Sequence, residues 1–190
     1  MIPPAPIAPQ PNVPVHYVKA ETGEVITLGN IKLRVLEDGS RTDNRISTVE
    51  GTLPAGLKGP PAHWHEMHDE CFLVTKGVIS FWVPANPSTG ESGKRIDAGV
   101  GDYVVVPTRA PHTFSNETDE EAKFVNTFTP AFYIHYFKLL AKMMEEGKEL
   151  TQRLTWQLWL IMPRFPCQEE TEMMFLVVRF EDVDSGDSGL

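Results

Sequence analysis

The chain has 190 residues, with 26 Asp and Glu against 17 Lys and Arg and a formal charge of −9. That length suits one hydrophobic core, and an acidic balance with no local basic cluster excludes electrostatic capture of a nucleic-acid backbone. The two cysteines, Cys71 and Cys167, make neither a C-x-x-C pair nor a disulfide framework, so they read as buried thiols in a reducing, cytoplasmic setting.

Residues 1–14 carry no basic start and no continuous apolar run, and their prolines favour an extended arm, expected over residues 1–24, rather than an export signal. From residue 25 to 130 the pattern is short apolar or alternating runs, rich in β-branched and aromatic residues, separated by turn residues. The runs are Ile31–Leu36, Arg45–Val49, Cys71–Thr75, Val78–Val83, Tyr103–Val106 and Lys123–Phe128, and breaks fall at 37–40, 75–77, 86–90 and 108–111. Many short strands in a chain of this size must hide their edges. The expected fold class is therefore all-β, a double-sheet jelly roll or barrel. After Pro130 the period changes: Phe132, Tyr136, Leu139, Leu140 and Met143, then Leu154, Leu158 and Ile161, recur at helical spacing. Two helices are expected to close one end of the barrel. Met173–Phe180 then reads as a strand returning to the sheet edge or to a second subunit, so that residues 131–180 pack on the barrel and 181–190 form a solvated acidic tail. The longest nearly uncharged apolar stretch, residues 154–163, is about half of the roughly 20 residues a membrane span needs. No membrane association is expected.

Three of the six histidines fall in His63-Trp-His65-Glu-Met-His68-Asp-Glu70, and a fourth, His112, lies in a proline-rich turn. In an extended strand residues i and i+2 share a face, so His63 and His65 project together while Trp64 points away. Glu70 stands at an odd offset from His65 and reaches the same side only if the chain turns or bulges around Met67 and Asp69. His112 must arrive from another strand. Neutral imidazoles with one carboxylate form a ligand set suited to first-row transition ions. The odd offset of His68, at the bend, gives it the character of a surface or supporting residue that is dispensable for metal. Glu66 and Asp69 read as a solvated bend, and His16 and His135 have no spacing partner. Phe72 shares the strand parity of Glu70, and Phe114 that of His112, so both are expected to line a cavity and touch substrate. Phe81, Trp82 and Phe124 are weaker candidates for the same wall, and Cys71 points away from it.

The spacing His63-x-His65-x4-Glu70-x6-Gly77 resembles the first motif of the cupin superfamily, and Gly101-x5-Pro107 followed by His112-x3-Asn116 resembles the second, over roughly residues 45–130. The resemblance implies a cupin barrel over 25–130 and one divalent transition metal (Fe, Cu, Mn, Ni, Co or Zn) held by His63, His65, Glu70 and His112. It also implies that Gly77 and Gly101 sit at turns, and that Pro107 and Asn116 shape the turn presenting His112. Arg109 stands where the second motif usually has glycine, which implies a changed turn. The segments Gly59–Phe72, Gly101-Asp-Tyr and Pro111-His112-Thr-Phe114 are similar to the flavonol-cleaving quercetin dioxygenases, although those usually carry two motif pairs. This implies a metal-dependent dioxygenase acting on an aromatic or enolisable small molecule with O2, with Glu70 doubling as catalytic base. The same site hosts two alternatives. One is a non-oxidative isomerase, cyclase, dehydratase or decarboxylase using the metal as Lewis acid; the other is a small-molecule-binding cupin. Exposed edges lead us to expect a homodimer.

Overall fold

The computed structural model describes residues 13–85 and 90–148. The first half of the N-terminal arm, the expected second helix at 154–161, the expected strand at 173–180, Cys167 and the tail lie outside the described residues. Nine strands and one helix follow in chain order: β1 (Val25–Leu28), β2 (Ile31–Glu37), β3 (Ser47–Leu53), β4 (Asp69–Lys76), β5 (Ile79–Val83), β6 (Lys94–Ala98), β7 (Tyr103–Val106), β8 (Thr113–Ser115), β9 (Ala122–Thr129) and α1 (Tyr133–Glu145). They form an antiparallel six-stranded sheet ordered β1-β2-β3-β9-β4-β7 and a three-stranded sheet ordered β6-β5-β8.

The strand period selects what goes inside. On β3 the inward set is Ser47, Val49, Gly51 and Leu53; on β9 it is Ala122, Phe124, Asn126 and Phe128; on β4 it is Glu70, Phe72 and Val74. Side chains from both sheets, among them Leu53, Phe72, Ile79, Phe81, Val106 and Phe124, meet in one cluster, which makes the pair of sheets a jelly-roll barrel. Burial of each such aromatic contributes roughly 1.5–3 kcal/mol. Gly51 is required by this packing. It pairs across the ladder with Phe124, and a Cβ on it would lie 2.2 Å from the Phe124 ring.

The expected runs form β2, β4, β5, β7 and β9, while the run at Arg45 starts two residues later and continues through Gly51. The expected runs did not include β1, β6 or β8. β6 (Lys-Arg-Ile-Asp-Ala) is exposed at four of five positions and so has no apolar alternation, and β8 has only three residues. Helix α1 buries Ile134, Tyr136, Leu140 and Met143. Ile134 joins Ile26, Leu33, Val35, Val49 and Phe128, so the helix caps the open end of the barrel made by β1 to β3 and β9. Among the described residues no helix is long and apolar enough to cross a membrane.

Candidate metal centre

Two loops build the site, one joining β3 to β4 and the other joining β7 to β8. They are stitched by main-chain bonds. The His63 amide donates to the His112 carbonyl at 2.9 Å, the His112 amide donates back at 2.8 Å, and the Arg109 amide donates to the His65 carbonyl at 2.7 Å. Residues opposed in such an antiparallel bridge send their side chains to the same face. Accordingly the His63 and His112 rings lie 4.6 Å apart, and the His65 ring lies 4.9 Å from His63 and 5.2 Å from His112. After His65 the chain leaves extended pairing, bends at 66–67 and enters β4 at Asp69, which brings Glu70 inward as the offset argument requires.

Glu70, 4 % exposed, places Oε2 at 3.1 Å from His65 Nε2 and 3.2 Å from His112 Nε2. Burial alone would raise its pKa. The hydrogen bonds and charge of His112 and His65 outweigh burial and hold the carboxyl below the usual carboxylate range, so it is ionised at neutral pH. Burial, then repulsion from His112 and His65, lowers His63 to about 4, which leaves it neutral and able to act as a ligand.

The histidine tautomers test whether these residues fit a metal. His63 Nδ1 lies 2.9 Å from the Pro61 carbonyl and His112 Nδ1 lies 3.0 Å from that of Ala110. A carbonyl only accepts, so each Nδ1 carries the hydrogen and, in the neutral ring, each Nε2 keeps its lone pair. At His112, Nε2 can therefore bond Glu70 only by carrying a second proton, a place that a cation lying between the two would take. Backbone carbonyls that orient the outer nitrogen of a histidine are also the usual support of a metal ligand. One ligand atom from each of His63, His65 and His112 falls within 4.8 Å of the others. The residues fit a first-row divalent ion.

A cavity of about 350 Å³ opens beside this cluster, with His63 and Glu70 in its wall. Phe72 and Phe114, 5.6 Å apart, line it as expected, and Phe124 joins them. Phe81 is buried behind Phe72 and does not reach the cavity, and Trp82 is 42 % exposed on the outer face, beside Arg95. The sequence reading missed the opposite wall, Tyr133, Tyr136, Phe137 and Leu140 of α1. Of these only Tyr136 and Leu140 belong to the helical stripe legible in the sequence, and spacing does not say what a helix faces. Burial raises both phenols, Tyr133 well above its ordinary value and Tyr136 to about 12, so both stay protonated donors.

Four readings of the two loops change. His68 is no surface residue: it is 8 % exposed, with its ring 4.0 Å from that of His65, 4.3 Å from that of Tyr133 and 5.6 Å from that of Phe128. Asp69 is exposed but is more than a solvated bend, because its Oδ1 accepts from both the amide and the hydroxyl of Thr108 at 2.9 Å and so ties one loop to the other. Arg109 adopts φ +67°, the left-handed region that glycine enters most easily, and its guanidinium pairs with Glu66 at 2.9 Å. The turn that favours glycine is thus built with arginine, and His112 is presented all the same. Asn116, fully buried, donates to the carbonyls of Leu53, Pro54 and Glu120, so it organises the turn after β8 rather than the one before His112. Gly77 and Gly101 sit at turns with φ of +66° and +90°. Cys71 faces away from the site, toward Tyr103.

Residues 49–128 match the family described as the cupin domain. Among solved structures, the chain is similar to the polyketide cyclase RemF from Streptomyces resistomycificus, at 18 % identity and a TM-score of 0.51, over 60 % of this chain and 79 % of that one. It is also similar to an RmlC-like cupin from Shewanella frigidimarina (21 % identity, TM-score 0.49, 62 % and 93 % covered) and to KdgF from Halomonas sp. (17 %, 0.45, 54 % and 82 %). At these identities the likeness concerns the fold, the cupin double-stranded β-helix. No curated protein matches the chain.

Proposed function

We propose that the chain is a metal-dependent oxygenase of the quercetin-dioxygenase kind, acting on a flat phenolic or enolisable small molecule. One observation carries this reading. An ionised, buried carboxylate, Glu70, stands among imidazoles at the wall of an otherwise mostly apolar, aromatic cavity. At about 350 Å³ the cavity is at the small end of ligand pockets, which run to ~300–1,000 Å³.

His63, His65, Glu70 and His112 would hold the ion, which supplies, when bound, Lewis-acid polarisation of a substrate oxygen and open positions as a template. The protein's own groups do the rest. Phe72, Phe114 and Phe124 form a flat apolar wall against which a planar ring stacks. Tyr133 and Tyr136 from α1 face that wall across the cavity and offer phenolic hydrogens to substrate oxygens. A substrate filling the cavity between barrel and helix would displace water from it, which strengthens the polar contacts it makes there. Glu70, held in its proton-accepting form, is placed to take the proton of an acidic hydroxyl at the cavity wall.

The test is elemental analysis of the protein as isolated, followed by oxygen-electrode assays with flavonols and β-diketones. The expected result is one transition ion per chain and O2 uptake in step with substrate loss. Protein without bound transition metal would overturn the reading. Substrate consumed without O2 uptake would instead identify a non-oxidative Lewis-acid enzyme.

A further inference from the structure

We propose that the centre has a second, inner metal position, held by His65, His68 and Glu70, so that His68 is a ligand. This rests on the metal-dependent reading above and deepens it. One ligand atom from each of these three residues falls within 4.8 Å of the others, the same closeness as in the set formed by His63, His65 and His112, and all three residues are buried.

His68 supplies the independent observation. Its Nε2 is buried with no hydrogen-bond partner, and so is Nδ1 of the adjacent His65. An unsatisfied buried nitrogen is unfavourable, because it has given up water without gaining a partner. Only one other side-chain atom among the described residues is in that state, the Ser47 hydroxyl, so two of the three meet in neighbouring rings 4.0 Å apart. A ring that merely filled space at this point would be better made of carbon. A ligand nitrogen, by contrast, is complete only when its lone pair meets a cation. Tyr133 and Phe128 pack on the His68 ring and fix it beside Glu70.

The inner set shares His65 with the trio of His63, His65 and His112, and Glu70 with the proposed outer quartet, so one ion occupies one position at a time. The outer position opens on the cavity through His63; the inner one lies behind it, since His68 takes no part in the cavity wall.

The experiment uses the full chain stripped of metal and titrated with Co2+, following the visible spectrum and bound metal. The double variant His63→Ala/His112→Ala removes the outer imidazoles, and the expected result is that it still takes up one Co2+ per chain. Adding His68→Ala to it should weaken Co2+ binding by at least about 100-fold, with the far-ultraviolet circular dichroism unchanged. Equal Co2+ affinity with and without His68, or no uptake by the double variant while the wild-type chain binds, overturns the inner position and leaves the proposed function standing. A wild-type chain that binds no Co2+ overturns both. Should the double variant not fold, the milder His63→Ala variant is titrated with Zn2+ and followed by nitrogen NMR of the histidines. The His68 Nε2 resonance is expected to move on Zn2+ addition, and an unmoved resonance overturns the inner position.

Discussion

The barrel interior has two ends that are equally buried and both crowded with rings, yet only one of them has chemistry to offer. At one end Phe81 and Phe124 each meet Phe72 edge to face, with centroids 5.1 and 5.3 Å away. At the other, His63, His65, His68 and His112 pack at 4.0–5.2 Å around a carboxylate. Strand β4 serves both ends, contributing Glu70 to the second and, two residues on, Phe72 to the first. Burial and ring packing therefore do not distinguish a site from a core. What distinguishes them is the direction of the polar atoms and whether each has a partner.

The largest expected effect falls at the polar end. Glu70→Gln keeps the shape and an oxygen but cannot accept a proton, so turnover should drop by roughly 10² to 10⁴. Elemental analysis should show the metal largely retained on three imidazoles. Near-full activity with metal bound would show that the base lies elsewhere. Next comes the apolar end, where Phe72→Ala should cost ~3–5 kcal/mol in urea unfolding, the usual loss for a buried phenylalanine. Metal content should be unchanged. If this variant loses its metal, the two ends are one coupled unit and the contrast between them fails.

Acid should separate the ends further. Histidines of the unfolded chain take up protons near 6.5, whereas His63 does so only at about 4 and His68 at about 3. Between those values the unfolded state binds more protons, so stability falls as pH falls. The metal-free protein should lose on the order of 3–4 kcal/mol in urea unfolding between pH 7 and pH 5, above the range where ordinary carboxylates titrate. A flat profile over that interval would mean that the histidines are not held neutral.

The smallest effect belongs to Arg109→Gly. Relief of the left-handed backbone and loss of the exposed pair with Glu66 act in opposite senses, and glycine adds chain entropy to the unfolded state. A change in melting stability within about 1 kcal/mol and unaltered metal affinity are expected. A large loss of metal would make the Arg109 side chain part of the site.

What could be read in advance follows from the range of each argument. The i, i+2 rule placed His63 and His65 on one face, and the odd offset required the bend that brings Glu70 in. Strand parity put Phe72 and Phe114 on the cavity. The same parity rule failed for His68, because a strand rule does not extend through residues 66–68, where the chain is not a strand. Tyr133 and Tyr136 were out of reach for a different reason. Their helix returns over β1 and β2, about a hundred residues earlier in the chain, and no local pattern encodes that return. Asp69 and Glu66 were misread because their partners, Thr108 and Arg109, sit on the opposite loop.

The reciprocal amide bonds between His63 and His112 also set a clock. The histidine-bearing loops have no long strand to lean on there, only an isolated bridge supported by the Arg109 amide. Solvent can replace those three amide hydrogens only when the loops part, so their deuterium uptake reports how often the histidine rings lose their shared orientation. Those three amides should exchange together, later than the exposed loop around Gly56 and earlier than the centre of β9, and their common rate is the rate at which the centre comes apart.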